Sequence, residues 1–137
     1  MKIKFIIIGV VAMLVIAAIV LGIVFTREGV VVKSGAISGG LSYVKNDTWS
    51  TTASKFNGHC RVDKTLNSDN LATFRVNSTN SDGKVFLKLT QGDVEKTIEI
   101  TGEFNDKIDM GEFKPGRIRL RLEFEHAEDV NISISWK

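Results

Sequence analysis

An all-β sandwich behind one N-terminal transmembrane helix is the fold this sequence predicts, and three observations predict it. Residues Phe5 to Phe25 form an uninterrupted apolar run. No helix-period segment of useful length follows that run. Alternation of apolar and polar residues recurs instead about every ten residues, with turn residues between the runs, as short antiparallel strands require.

The apolar run comes first in the chain of 137 residues. It carries no charge, and at about 1.5 Å per residue its helix is about 31 Å long, matching a hydrocarbon core of about 30 Å. A secretory signal peptide has a shorter apolar core of about 7–15 residues, followed by a small-x-small cleavage site. Here the nearest such site, Ser34-Gly35-Ala36, lies beyond Arg27, Glu28 and three valines. An uncleaved anchor is expected. Lys2 and Lys4 outweigh Arg27 and Lys33, which Glu28 partly offsets, so the N-terminus belongs in the cytoplasm and the domain outside. The expected organisation is a cytoplasmic N-terminus and anchor over 1–26, a connector over 27–35, and an extracytoplasmic domain over 36–137 of a single-pass cell-membrane protein. Within the anchor, Ala18 and Gly22 form a small-xxx-small pair on which a second helix packs closely.

Lys2 and Lys4 also account for the net charge of +2, because the remainder balances at sixteen basic and sixteen acidic residues. The domain is neutral, which argues against nucleic acid as a partner. Its single cysteine, Cys60, forms no intrachain disulfide and alternates in phase with Val62, as a small buried hydrophobe does.

The clearest strand is Arg117 to Glu125, with Ile118, Leu120, Leu122 and Phe124 on one face. Val130, Ile132, Ile134 and Trp136 alternate in the same way, and folding the two runs about His126-Ala127-Glu128 sets apolar against apolar at every step, predicting a hairpin. Gly92-Asp93 marks a second hairpin, pairing Leu87 with Ile98, Val85 with Ile100, Phe86 with Glu99 and Lys88 with Thr97. Ala72, Phe74 and Val76 are expected to extend that hairpin into a three-strand meander, with Arg75 near Phe86. Lys114-Pro115-Gly116-Arg117 has the proline and glycine of a type II turn. Ala36–Lys45, Asp47–Phe56 and His59–Lys64 read as three further strands. About seven to nine antiparallel strands with facing apolar sides make a sandwich.

The Phe113-Lys114-Pro115-Gly116 turn, the strand Arg117 to Glu125 and the ending Asn131-Ile132-Ser133-Ile134-Ser135-Trp136, with Phe104, Phe56-Asn57-Gly58 and the run Leu71 to Leu89 upstream, resemble small uncharacterised membrane-anchored proteins of Gram-positive bacteria. More distantly, the layout is similar to pre-peptidase C-terminal and Golgi-dynamics-type β-sandwiches. The resemblance covers roughly Tyr43 to Lys137. It implies a jelly-roll-like extracytoplasmic sandwich and carries over no catalytic residue or cofactor.

Candidate chemistry is sparse. His59 and His126 lie on separate elements without a nucleophile motif, and with one cysteine they have no zinc-ligand spacing, so neither a catalytic nor a metal site is expected. Asn77–Asp82 and Asp106–Glu112 are rich in oxygen ligands but lack the spacing of a calcium loop. Glycan binding by a sandwich relies on exposed aromatics, for which Phe86, out of phase with Val85 and Leu87, leads Trp49 and Tyr43. Arg117, Arg119 and Arg121 form the one concentrated charge stripe; it reads as a solvated face paired to acids such as Glu95 and Glu99, or as a dock for an anionic wall polymer. The expected function is a non-enzymatic, membrane-anchored interaction module for an envelope protein or polymer. The alternative is an accessory subunit that meets a membrane complex through its helix.

Overall fold

The computed structural model describes residues 29–137. In chain order these form β1 (Val32–Ser38), β2 (Leu41–Lys45), β3 (Thr48–Leu66), the five-residue helix α1 (Ser68–Ala72), β4 (Arg75–Thr79), β5 (Asp82–Gln91), β6 (Val94–Glu99), β7 (Phe104–Lys107) and β8 (Gly116–Ser135). Among the described residues no helix is long and apolar enough to cross a membrane. The Phe5–Phe25 run, with Ala18 and Gly22, lies outside the described residues.

Two strands organise the others. β3 and β8 run antiparallel along nearly their whole lengths, from Thr48 opposite Ser135 to Leu66 opposite Gly116. Both turn a corner midway. In β3 the register shifts between Phe56 and Gly58, and in β8 His126 and Asp129 take left-handed φ values of 48° and 49°. On one side of the corner, β1 and the second half of β3 lie beside the first half of β8, followed by β5 and β6. On the other, β2 and the first half of β3 lie beside the second half of β8, followed by β4 and β7. One antiparallel sheet thus doubles over into the two layers of a sandwich.

The alternating residues of both layers enclose one core. Trp49, Ala53, Cys60 and Val62 from β3 and Ile118, Leu120, Leu122, Val130, Ile132 and Ile134 from β8 are all buried in it. Phe56 and Phe124 stack at the corner with ring centroids 4.0 Å apart. Trp136 closes the far end against Phe74. Asn70 on α1 donates through Nδ2 to the Trp136 carbonyl at 2.6 Å, and Asn67 and Asn70 cap the helix reciprocally.

The hairpin expected about His126-Ala127-Glu128 is therefore not formed: Leu122 and Ile132 belong to one continuous strand. The segment 126–128 lacks the glycine that a tight hairpin turn favours. In the continuous strand each half is hydrogen-bonded on both edges, to β3 and β5 before the corner and to β3 and β4 after it. A hairpin would leave more backbone groups to satisfy elsewhere. The two expected strands Asp47–Phe56 and His59–Lys64 likewise fuse into β3, and Ala36–Lys45 divides at Gly39-Gly40 into β1 and β2. β1 begins at Val32, inside the stretch expected as a connector.

The Gly92 hairpin has the expected register, with Leu87 opposite Ile98, Phe86 opposite Glu99 and Lys88 opposite Thr97. The three-strand meander is a second correction. β4 pairs with β7 and β8 in the other layer, and Arg75 bonds Asn105. Its outward and inward residues alternate correctly, but alternation does not say which neighbour a strand takes. The turn before β8 is clamped by Gln91, whose amide accepts from Lys114 N and donates to Lys114 O.

The corner requires two backbones to touch. Gly35 of β1 and Gly58 of β3 are register partners; a Cβ at Gly58 would overlap the Ser34 carbonyl and Gly35 Cα, and its φ of 150° is one L side chains rarely adopt. Gly58→Ala is expected to lower stability by more than about 1 kcal/mol, measured as a lower urea midpoint at unchanged slope. An unchanged midpoint would show that the strands have room to separate there.

Candidate functional site: the outer face of the second layer

The outward residues of the second layer align in rows across the strands. One row runs Tyr43, Ser50, Ser133, Asn77, Asn105. A second runs Leu41, Thr52, Asn131, Thr79, and a third runs Lys45, Thr48, Ser135, Arg75, Lys107. The two central strands thus supply only short hydroxyl and amide side chains. Longer ones stand on β2 at one side, as Leu41, Tyr43 and Lys45, and at the other side in the third row, as Arg75 and Lys107. With strands about 4.8 Å apart, β2 and β4 are about 14 Å apart, and the strip of short side chains between them along β3 and β8 is the trough.

Local chemistry holds β2, the near wall, in register. Its inward Ser42 accepts a hydrogen bond from the indole of Trp49 at 2.9 Å and shares another with Thr51 at 2.8 Å. Burial pushes the nearby Cys60 thiol up to about 12, against the lowering effect of the Ser42 and Thr51 hydroxyls and of Lys33. A one-residue slip of β2 would break this cluster and turn Tyr43 inward. In the register found, Tyr43 and Leu41 are 45% and 58% exposed. On the far wall, Asn105 Oδ1 accepts from Arg75 Nε at 3.1 Å and from a terminal guanidinium nitrogen at 2.9 Å, holding the guanidinium along the sheet.

The three rows contain three cations and no carboxylate. Asp47 lies in the β2–β3 turn, and Asp106 lies on β7 opposite the inward Val76, out of phase with the rows. Among the described residues, Lys45, Arg75 and Lys107 enter no ion pair.

The opposite face is built differently. Arg61, Arg121 and Lys88 lie in one row of the first layer; the rows on either side contain Asp63, Arg119 and Glu95, and Glu123, Phe86 and Glu99. Most cations there are paired: Arg117 and Arg119 both hold Asp63, at 3.1 and 3.0 Å, and Lys88 lies 3.1 Å from Glu95. Arg121 Nε is 3.1 Å from Glu123 without the alignment of a hydrogen bond. Burial alone would raise the Asp63 carboxyl, but the hydrogen bonds and charges of Arg119 and Arg117 outweigh it and hold it below its ordinary value. The hydrogen bond that Arg119 donates to Asp63 in turn raises the Arg119 guanidinium above its ordinary value.

Of the aromatics singled out from sequence, Trp49 is 1% exposed and offers no platform. Its indole is taken by Ser42, because its strand position is the inward one. Phe86 is half-buried between Glu99 and Glu123, and Tyr43 stands in the trough. Arg117, Arg119 and Arg121 lie on the opposite face from Tyr43, so the structure does not gather the predicted residues at one place. Lys45, Arg75, Asn77 and Asn105 were missed; their shared face depends on which strands are neighbours, and only the Ser/Thr/Asn content of their segments hinted at it. Among the described residues no three His, Cys, Asp or Glu side chains are grouped to hold a metal ion.

No protein-family model matches the chain, and no curated protein matches it. Among solved structures it is similar to one described as TmCBM61 in complex with beta-1,4-galactotriose, at 19% identity and a TM-score of 0.40, over 80% of this chain and 79% of that one. A likeness of this degree decides no ligand.

The Asp63 cluster gives a pH test. A depressed folded-state value contributes stability that is full above the unfolded carboxyl value and is lost as pH falls through the folded one. Asp63→Asn is therefore expected to be less stable than the parent at pH 7, with the difference shrinking as pH drops below about 4. Denaturant midpoints across that range check it; a pH-independent difference would mean that the carboxylate charge is not what Arg117 and Arg119 hold.

Proposed function

We propose that this chain is a non-enzymatic interaction module, held at the membrane by Phe5–Phe25 with its sandwich outside the cytoplasm, and that its ligand lies in the trough of the second layer. The observation supporting this is the contrast between the two outer faces. A sheet face that only meets water is expected to mix charges of both signs, as the first layer does. The trough presents hydroxyls and amides, an exposed tyrosine ring and no carboxylate. Ser, Thr and Asn supply donors and acceptors at short reach, and Tyr adds apolar area at low entropic cost. Such a surface suits a hydroxyl-rich ligand lying along the strands. The length and lack of charge of the Phe5–Phe25 run support the anchor.

Thr52 is exposed in the trough and Thr97 on the opposite face, and the buried Cys60 is silent toward thiol reagents. In full-length protein an impermeant maleimide is expected to label both Thr52→Cys and Thr97→Cys in intact cells. Stripping envelope polymers is expected to speed labelling of Thr52→Cys several-fold more than that of Thr97→Cys. Labelling that waits for lysis would contradict the extracytoplasmic placement. Equal acceleration at both sites would contradict an occupied trough.

A further inference from the structure

From the third row of the trough we infer that its ligand is an anionic polyhydroxyl polymer, a chain of hydroxyl-bearing units with regularly spaced acid groups; this rests on the proposal that the trough is the binding face. Arg75 and Lys107 are direct register partners on neighbouring strands, and Lys45 stands at the other end of the same row. Like charges set opposite one another destabilise a sheet. On the first layer Lys88, Arg117, Arg119 and Arg121 each have a carboxylate within ion-pair distance, and, among the described residues, Arg61 and Lys84 do not. On the second layer, among the described residues, none of the three has one, although the domain as a whole is neutral.

The arrangement is also aimed. Asn105 fixes the Arg75 guanidinium along the sheet, and Lys107 is the register partner of Arg75 on β7, so one side of the face carries two cations while Lys45 stands across the floor from them. An acid group lying over this row meets positive charge from both sides. The next row, from Tyr43 to Asn105, meets the hydroxyls of the same unit, and a strand rise of about 3.4 Å per residue separates successive outward rows by about 7 Å. Charge alone would draw any polyanion; hydroxyl and amide rows beside the charge select one that also carries hydroxyls.

The test uses full-length protein in phosphatidylcholine nanodiscs, with binding read by interferometry against five soluble polymers. Polygalacturonate and hyaluronan carry carboxylates on sugars, poly(glycerol phosphate) carries phosphates on a polyol, pullulan is an uncharged glycan, and polyglutamate is a carboxylate chain without hydroxyls. Binding of at least one of the first three, tighter than pullulan and polyglutamate, is expected; whether carboxylate or phosphate polymers bind identifies the source of the acid. Salt should weaken it. Lys45→Gln, Arg75→Gln and Lys107→Gln together should weaken it about tenfold, and Tyr43→Ala should weaken it independently. Pullulan bound as tightly, with loss in Tyr43→Ala and none in the triple variant, would overturn the anionic ligand while leaving the trough as the site. Polyglutamate bound as tightly would overturn the selection for hydroxyls. Binding untouched by either variant, or no binding at all, would overturn both the inference and the trough.

Discussion

The pairing of β3 with β8 is the interaction on which the rest of this structure depends. Seventeen register pairs join the two strands on both sides of the corner, and every other strand attaches to this spine or to a strand that does. Because both strands bend at the same place, the bend sets which residues face each other across the interior. Phe56 and Phe124 stack there, and Gly35 and Gly58 let the backbones meet. The left-handed residues His126 and Asp129 change the alternation of β8 from every second residue to Phe124, Ala127 and Val130, all buried. The inward face is thereby kept inward through the turn, which an unbroken alternation would not achieve.

The same spine decides the character of the two outer faces. The half of β8 carrying Arg117, Arg119, Arg121 and Glu123 lies in the first layer, where β3 contributes Asp63 and β5 contributes Lys88. The half carrying Asn131, Ser133 and Ser135 lies in the second, where β3 contributes Thr48, Ser50 and Thr52. Each strand is thus charged along one half and hydroxyl- or amide-rich along the other, and the antiparallel register brings like halves together. A charged, largely paired face and a trough whose rows hold no carboxylate follow from one alignment.

Much of the interior was legible in the sequence. Period-2 alternation identified the inward residues of β8, β5 and most of β3, and Gly92-Asp93 fixed its hairpin, because both signals are local. The partner of each strand was not legible. Leu122 and Ile132 match as well across a hairpin as across a core, and Val76 alternates the same way whether β4 neighbours β5 or β8. The trough failed to appear for that reason: Tyr43, Asn77 and Lys107 lie far apart in the chain, and no short motif joins them. Trp49 was misplaced as an exposed aromatic because the Ser and Thr around it blur which face is the apolar one. The Phe5–Phe25 run lies outside the described residues, and its role rests on its length and lack of charge.

The most direct test of the spine is cross-strand contact in the folded protein by nuclear Overhauser spectroscopy. The fold described places backbone protons of Cys60 beside Leu122 and those of Thr51 beside Ile132, with Val76 beside Ile134. Backbone contacts at those three pairs are the predicted result. Backbone contacts between Leu122 and Ile132 themselves would instead establish a hairpin at His126, and neither the corner nor the trough would survive that result.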